Sequence, residues 1–158
     1  MFRNLLSRLF AEDPKAPPLA AQDAEVAVAA LLVRLARSDD HYGAVERDRI
    51  DMVLARRRGL SAEGAAERRA AAEMLEAEAP DTVRFTRLVK DRIALEDRLG
   101  VIAAMWEIAY ADQNRTAEEE SLIRLVAGLL GVNDRDSALA RQQVLAQMGL
   151  SGADGAAG

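Results

Sequence analysis

The chain has 158 residues and a net charge of −5, with 50% hydrophobic and 30% charged residues, no cysteine and a single histidine, His41. That is one domain's worth of sequence, long enough to bury a real core, with the balance of a globular rather than a disordered protein. It excludes disulfides, thiolate metal sites, cysteine nucleophiles and multi-histidine zinc or haem sites, and it argues against nucleic acid, whose phosphates require a concentrated positive surface.

In chain order, residues 1–10 place Phe2, Leu5, Leu6, Leu9 and Phe10 on one helical face and Arg3 and Arg8 on the other. An isolated helix shorter than roughly 12–15 residues is marginal in water, so this arm needs a surface to lie on. Two surfaces stay open. One is the parent domain or a sister chain; the other is a weak interfacial membrane contact, with the arginines meeting lipid phosphates. Residues 11–20, with Pro14, Pro17 and Pro18, read as a stiff linker. No apolar stretch reaches the ~20 residues a bilayer requires, and the opening segment is too short and too charged for a secretory signal. The expectation is a cytoplasmic protein that residues 1–10 can hold peripherally at the inner face of the membrane.

Helical spacing then runs to the end of residues 21–150, the expected folded domain. A first helix spans about 22–37, with Val28, Leu31, Leu32 and Leu35 inward. A second begins after Gly43, buries Ile50, Val53 and Leu54, and stops at Gly59, a natural left-handed closing residue. Ser61 caps an alanine-rich third helix to about residue 78. Pro80 breaks it, and Asp81 caps a fourth through Thr82, Phe85, Leu88 and Val89. The fifth carries the clearest stripe, Leu95, Leu99, Ile102, Trp106 and Ala109, read as core. Thr116 and Glu119 form a capping box opening a sixth helix that ends at Gly131. A last helix covers about 134–148, and residues 151–158 read as a disordered tail. No segment alternates with strand period, so the fold class is all-α. The run Arg56-Arg57-Arg58 falls at a helix end and reads as macrodipole complementarity on a solvated face.

One acidic turn occurs twice. Ala36-Arg37-Ser38-Asp39, followed seven residues later by Glu46, returns as Ala109-Tyr110-Ala111-Asp112 with Glu119, an offset of 73 residues. Each copy sits between two apolar helical runs, which points to an internally duplicated helical domain with two equivalent acidic corners. Their oxygens, Asp39, Asp40 and Glu46 in one and Asp112 and Glu119 in the other, are the kind that bind hard divalent cations such as Ca²⁺, Mg²⁺ or Mn²⁺. Neither is an EF-hand: counted from Asp112, the sixth position is Ala117 instead of Gly and the twelfth is Ile123 instead of Glu. Capping competes with a metal for these groups. Glu119 stands three residues after Thr116 and Glu46 three after Gly43, each placed to accept an N–H at its helix start. A carboxylate pair can do acid–base work, but no nucleophile–base constellation is legible, so the expectation is a protein that is not an enzyme.

The duplicated turn resembles that of the TerB family, associated with bacterial tellurite resistance. So do Asp81-Thr82-Val83-Arg84-Phe85-Thr86, Met105-Trp106-Glu107-Ile108-Ala109-Tyr110-Ala111-Asp112 and Arg124-Leu125-Val126-Ala127-Gly128-Leu129-Leu130-Gly131-Val132, and the resemblance covers about residues 24–146. It implies a compact bundle of about seven helices with pseudo-two-fold symmetry and no enzymatic activity. It also implies an acidic patch at the repeated turns for metal ions or a protein partner, in a stress-resistance setting sometimes shared with membrane proteins. A related domain in membrane-anchored J-domain co-chaperones makes a membrane-proximal adaptor, anchored by residues 1–10, the alternative. The family usually has Gly after the turn aspartate, where this chain has Asp40 and Gln113. Asp tolerates a positive φ better than Gln, which favours the first corner as the working one.

Overall fold

The structure, a computed structural model, describes residues 21–38, 42–79, 81–111 and 117–149. The arm and linker expected over 1–20, the tail over 151–158 and turn residues 39–41 and 112–116 lie outside the described residues, as does the side chain of Leu88. Seven helices fill the described part, with no strand among them: α1 (Ala21–Arg37), α2 (Ala44–Arg58), α3 (Ala62–Glu78), α4 (Thr82–Lys90), α5 (Leu95–Ala111), α6 (Ala117–Leu129) and α7 (Asp134–Gln147).

Their ends follow local chemistry. Ser61 Oγ accepts the Gly64 N–H at 3.0 Å, Asp81 Oδ1 accepts that of Arg84 at 2.9 Å, and Asn133 Oδ1 accepts that of Asp136 at 2.8 Å. Each supplies an acceptor for an N–H that has no partner within its own helix. Gly59 (φ 64°) and Gly131 (φ 76°) close α2 and α6 in the left-handed region.

The duplication governs the packing. α1, α2 and α3 recur as α5, α6 and α7, and α4 joins the two sets. Within each set the first and third helices lie side by side. Across the sets α1 packs on α5, α2 reaches α5, and α6 reaches α1. Equivalent positions bury equivalent side chains: Ile50, Val53 and Leu54 on α2 match Ile123, Val126 and Ala127 on α6. α1 is the centre of the molecule, buried continuously from Val26 to Val33 and again at Leu35. A helix apolar all round belongs inside a bundle rather than on its surface. α4 lies against α6 and α1 and buries Phe85, Thr86 and Val89 completely.

The stripe on α5 is core only in part. Ile102, Trp106 and Ala109 are buried, but Leu95 is 59% and Leu99 37% exposed. The cause is the start of α7. It meets the stripe where Trp106 Nε1 donates to Ser137 Oγ (3.4 Å), and it begins only three residues earlier, at Asp134. It therefore covers the second half of α5 and stops short of the first turns.

Candidate functional site

Of the five carboxylates expected at the acidic corners, Glu46 and Glu119 are described; Asp39, Asp40 and Asp112 lie outside the described residues. Glu46 Oε2 accepts the Gly43 N–H at 2.8 Å, and the Gly43 carbonyl accepts the Arg47 N–H at 3.1 Å. Its carboxylate is thus engaged in starting α2. Glu119 is the third residue of α6, only 4% exposed, and is engaged within the fold. Among the described residues no three of His, Cys, Asp and Glu are grouped to hold a metal ion.

Guanidinium groups flank the first corner. Arg37, at the end of α1, lies 4.8 Å from the Tyr42 ring centroid, and Arg47, in the first turn of α2, lies 5.4 Å from it. Both are then tied to α3. Arg37 meets Glu76 Oε2 at 3.0 Å and Arg47 meets Glu73 Oε2 at 3.4 Å. Glu73 also accepts the Tyr42 hydroxyl at 2.6 Å and Arg69 at 3.1 Å, while Arg69 reaches Asp51 at 2.6 Å. Burial, and then the hydrogen bond to Glu73, push the Tyr42 phenol above its ordinary range. The hydrogen bond to Asp51 raises the Arg69 guanidinium above its own ordinary value, despite burial acting the other way. Ser38 closes the corner: its hydroxyl and its N–H both donate to the Leu35 carbonyl, at 2.7 and 3.1 Å.

The second corner differs at matched positions. Tyr110 stands for Arg37, Ala111 for Ser38 and Glu120 for Arg47. Two cations and a carbonyl-capping hydroxyl become a phenol, a methyl group and a carboxylate. Trp106 and Tyr110 stack with centroids 5.8 Å apart, and Arg141 of α7 lies over both rings and donates to the Tyr110 hydroxyl. The first turn of α6 carries Glu118, Glu119 and Glu120 in succession. Glu119 and Glu120 are themselves engaged within the fold, and the first corner is an ion-pair lattice.

Arg56 and Arg58 are exposed, as a solvated face requires, but both are ion-paired to other helices. Arg56 meets the nearly buried Glu107 of α5 at 2.6 Å, and Arg58 meets Glu25 of α1 at 2.5 Å and Asp97 of α5 at 3.3 Å. Arg57 lies over Gly100, where a Cβ would collide with its guanidinium, and burial holds it below its usual range. The run sits at the end of α2, as macrodipole complementarity expects, but it clamps α2 to both first helices of the repeats. The partners of Arg56 and Arg58 lie 51 and 39 residues away in sequence, so no local pattern announces them.

A duplicated three-helix unit, joined by one short helix and acidic in the first turn of α6, defines the class of domain. The comparison with protein families matches residues 25–142 to TerB, tellurite resistance protein TerB. The chain belongs to the TerB family. No curated protein and no solved structure matches it significantly. No helix among the described residues is long and apolar enough to cross a membrane.

Proposed function

We propose that this chain is a non-enzymatic TerB-type domain of the stress-resistance kind that binds a divalent cation at its second acidic corner. The observation that carries this reading is the exchange of Arg37, Ser38 and Arg47 for Tyr110, Ala111 and Glu120 between the two corners. A hard cation is favoured by carboxylate and carbonyl oxygens and opposed by nearby guanidinium groups. Of these the second corner has Arg141, against Arg37 and Arg47 on the Tyr42 ring at the first. α6 opens on three glutamates, of which Glu119 and Glu120 also make interactions within the fold. Asp112 falls between α5 and α6 in sequence. The preference that Asp40 and Gln113 gave to the first corner is outweighed on this reading by the cations around Tyr42.

The same carboxylates would suit the basic surface of a protein partner, so the test must begin without one. In isothermal titration with Ca²⁺, Mg²⁺ and Mn²⁺, we expect heat with at least one ion and a matching rise in melting temperature, since a ligand bound only to the native state must stabilise it. Asp112→Asn should abolish both effects, and Asp39→Asn should leave them. Silence with all three ions at millimolar concentration would sink the cation reading and leave partner binding. The alternative is then an adaptor domain, which would be membrane-proximal only if residues 1–10 were bound to lipid and not to their own domain.

A further inference from the structure

The apolar stripe of α5 runs past its cover. Leu95 and Leu99, one turn apart, continue the line of Ile102, Trp106 and Ala109, yet they are 59% and 37% exposed at the start of the helix. We propose that residues 1–10 of the same chain occupy this face, laying Phe2, Leu5, Leu6, Leu9 and Phe10 against Leu95 and Leu99.

The position of the first described residue supports an intramolecular occupant. One atom, Arg58 Nη2, touches both Glu25 of α1 (2.5 Å) and Asp97 of α5 (3.3 Å), so α1 and α5 begin at the same end of the molecule. Glu25 stands four residues after Ala21, which is about 6 Å along the helix axis. Asp97 is two residues from both Leu95 and Leu99, so it lies on the other side of α5 from them. The preceding segment therefore joins the domain at the leucines' end of α5 and reaches them by passing around that helix. Residues 11–20, extended at ~3.1 Å per residue, reach about 31 Å, ample for a ten-residue helix of ~15 Å to turn back onto that face.

Charge agrees at one position. Residues 1–10 carry Arg3 and Arg8 and no acidic residue, while Glu96 is exposed beside Leu95. The arm's apolar side chains also need a surface, because a segment of this length gains too little from its own helical hydrogen bonds. A second copy of the chain would require association, and a lipid surface would leave the leucines of α5 bare. The chain's own arm fills both needs at once.

The absence of cysteine makes the test direct. Leu6→Cys combined with Leu99→Cys, oxidised at low micromolar concentration, should give an intramolecular disulfide at least tenfold faster than Leu6→Cys combined with Leu125→Cys, whose second position is exposed on α6. Equal rates for the two pairs, or a cross-link formed only between chains, would overturn the proposal, the latter in favour of a second copy. Independently, maleimide labelling of Leu99→Cys in the full chain should accelerate several-fold when Leu5→Asp and Leu9→Asp are added. An unchanged rate would also overturn it. So would an accelerated rate in those variants that appears only with vesicles of mixed phosphatidylcholine and phosphatidylglycerol, which would assign the arm to lipid.

Discussion

Tyr42 joins three charged residues of the first corner. Its ring carries two guanidinium groups and its hydroxyl donates to Glu73, a carboxylate that also holds Arg47 and Arg69. Removing the hydroxyl leaves Glu73 paired, so Tyr42→Phe should cost only about 1–1.5 kcal/mol at pH 8. The pH dependence follows from the raised phenol, which burial and then Glu73 hold protonated above a phenol's ordinary value of 10.0. Below pH 10 native and unfolded chains both keep this proton, and the contribution is complete. Above it the unfolded chain releases the proton first, so stability falls as pH rises, by about 1.4 kcal/mol for each unit past the ordinary value. Urea melts at pH 8 and pH 11 should therefore show the cost of Tyr42→Phe shrinking toward zero at the higher pH; an equal cost at both would contradict the raised phenol. Little of this corner was legible in the sequence. Glu46 was, because a cap acts over three residues. The stacking of Arg37 and Arg47 on Tyr42 was not, because it depends on α3 delivering Glu73 and Glu76 from more than 25 positions away.

At the scale of the helices, local chemistry carried most of the information. Ser61, Asp81 and Gly59 mark their boundaries in the sequence because caps and left-handed closures involve only neighbouring backbone groups. The failure on α5 has the opposite character. Leu95 and Leu99 share the period of Ile102 and Trp106, and only the starting point of α7, set by the turn after Gly131, decides which of them is covered. Two glycines separate conformational need from mere tolerance. Gly59 has open space around it but a φ of 64°, so Gly59→Ala should destabilise by about 1 kcal/mol through backbone strain alone. Gly128 lies within α6, and a Cβ there would meet nothing within 4 Å. Gly128→Ala should stabilise by about 0.5–1 kcal/mol, because alanine loses less backbone freedom on folding. Thermal melts of the two variants should move in opposite directions by a few degrees, and movement in the same direction would refute the assignment of either site.

For the molecule as a whole, the duplication raises the question of whether each set of three helices is a folding unit. Their faces say otherwise. α1 is buried along nearly its whole length, and that burial is supplied by α3 of its own set together with α5, α6 and the connecting α4. Arg58 ties α1 to α5 through α2, and Arg56 ties α2 to the nearly buried Glu107. Separating the sets would expose the α1 side chains that face α5 and α6 and leave Glu107 without its partner, costs that fall on both halves. A chain whose core is shared in this way should unfold in one step. Trp106 is the sole tryptophan and sits in the second set, so its fluorescence reports that set, whereas far-UV circular dichroism reports all seven helices. The two signals should give the same urea midpoint and the same slope. A fluorescence midpoint displaced from the dichroism midpoint would show that the repeats unfold separately, and that the contact of α1 with α5 joins two domains and does not build one.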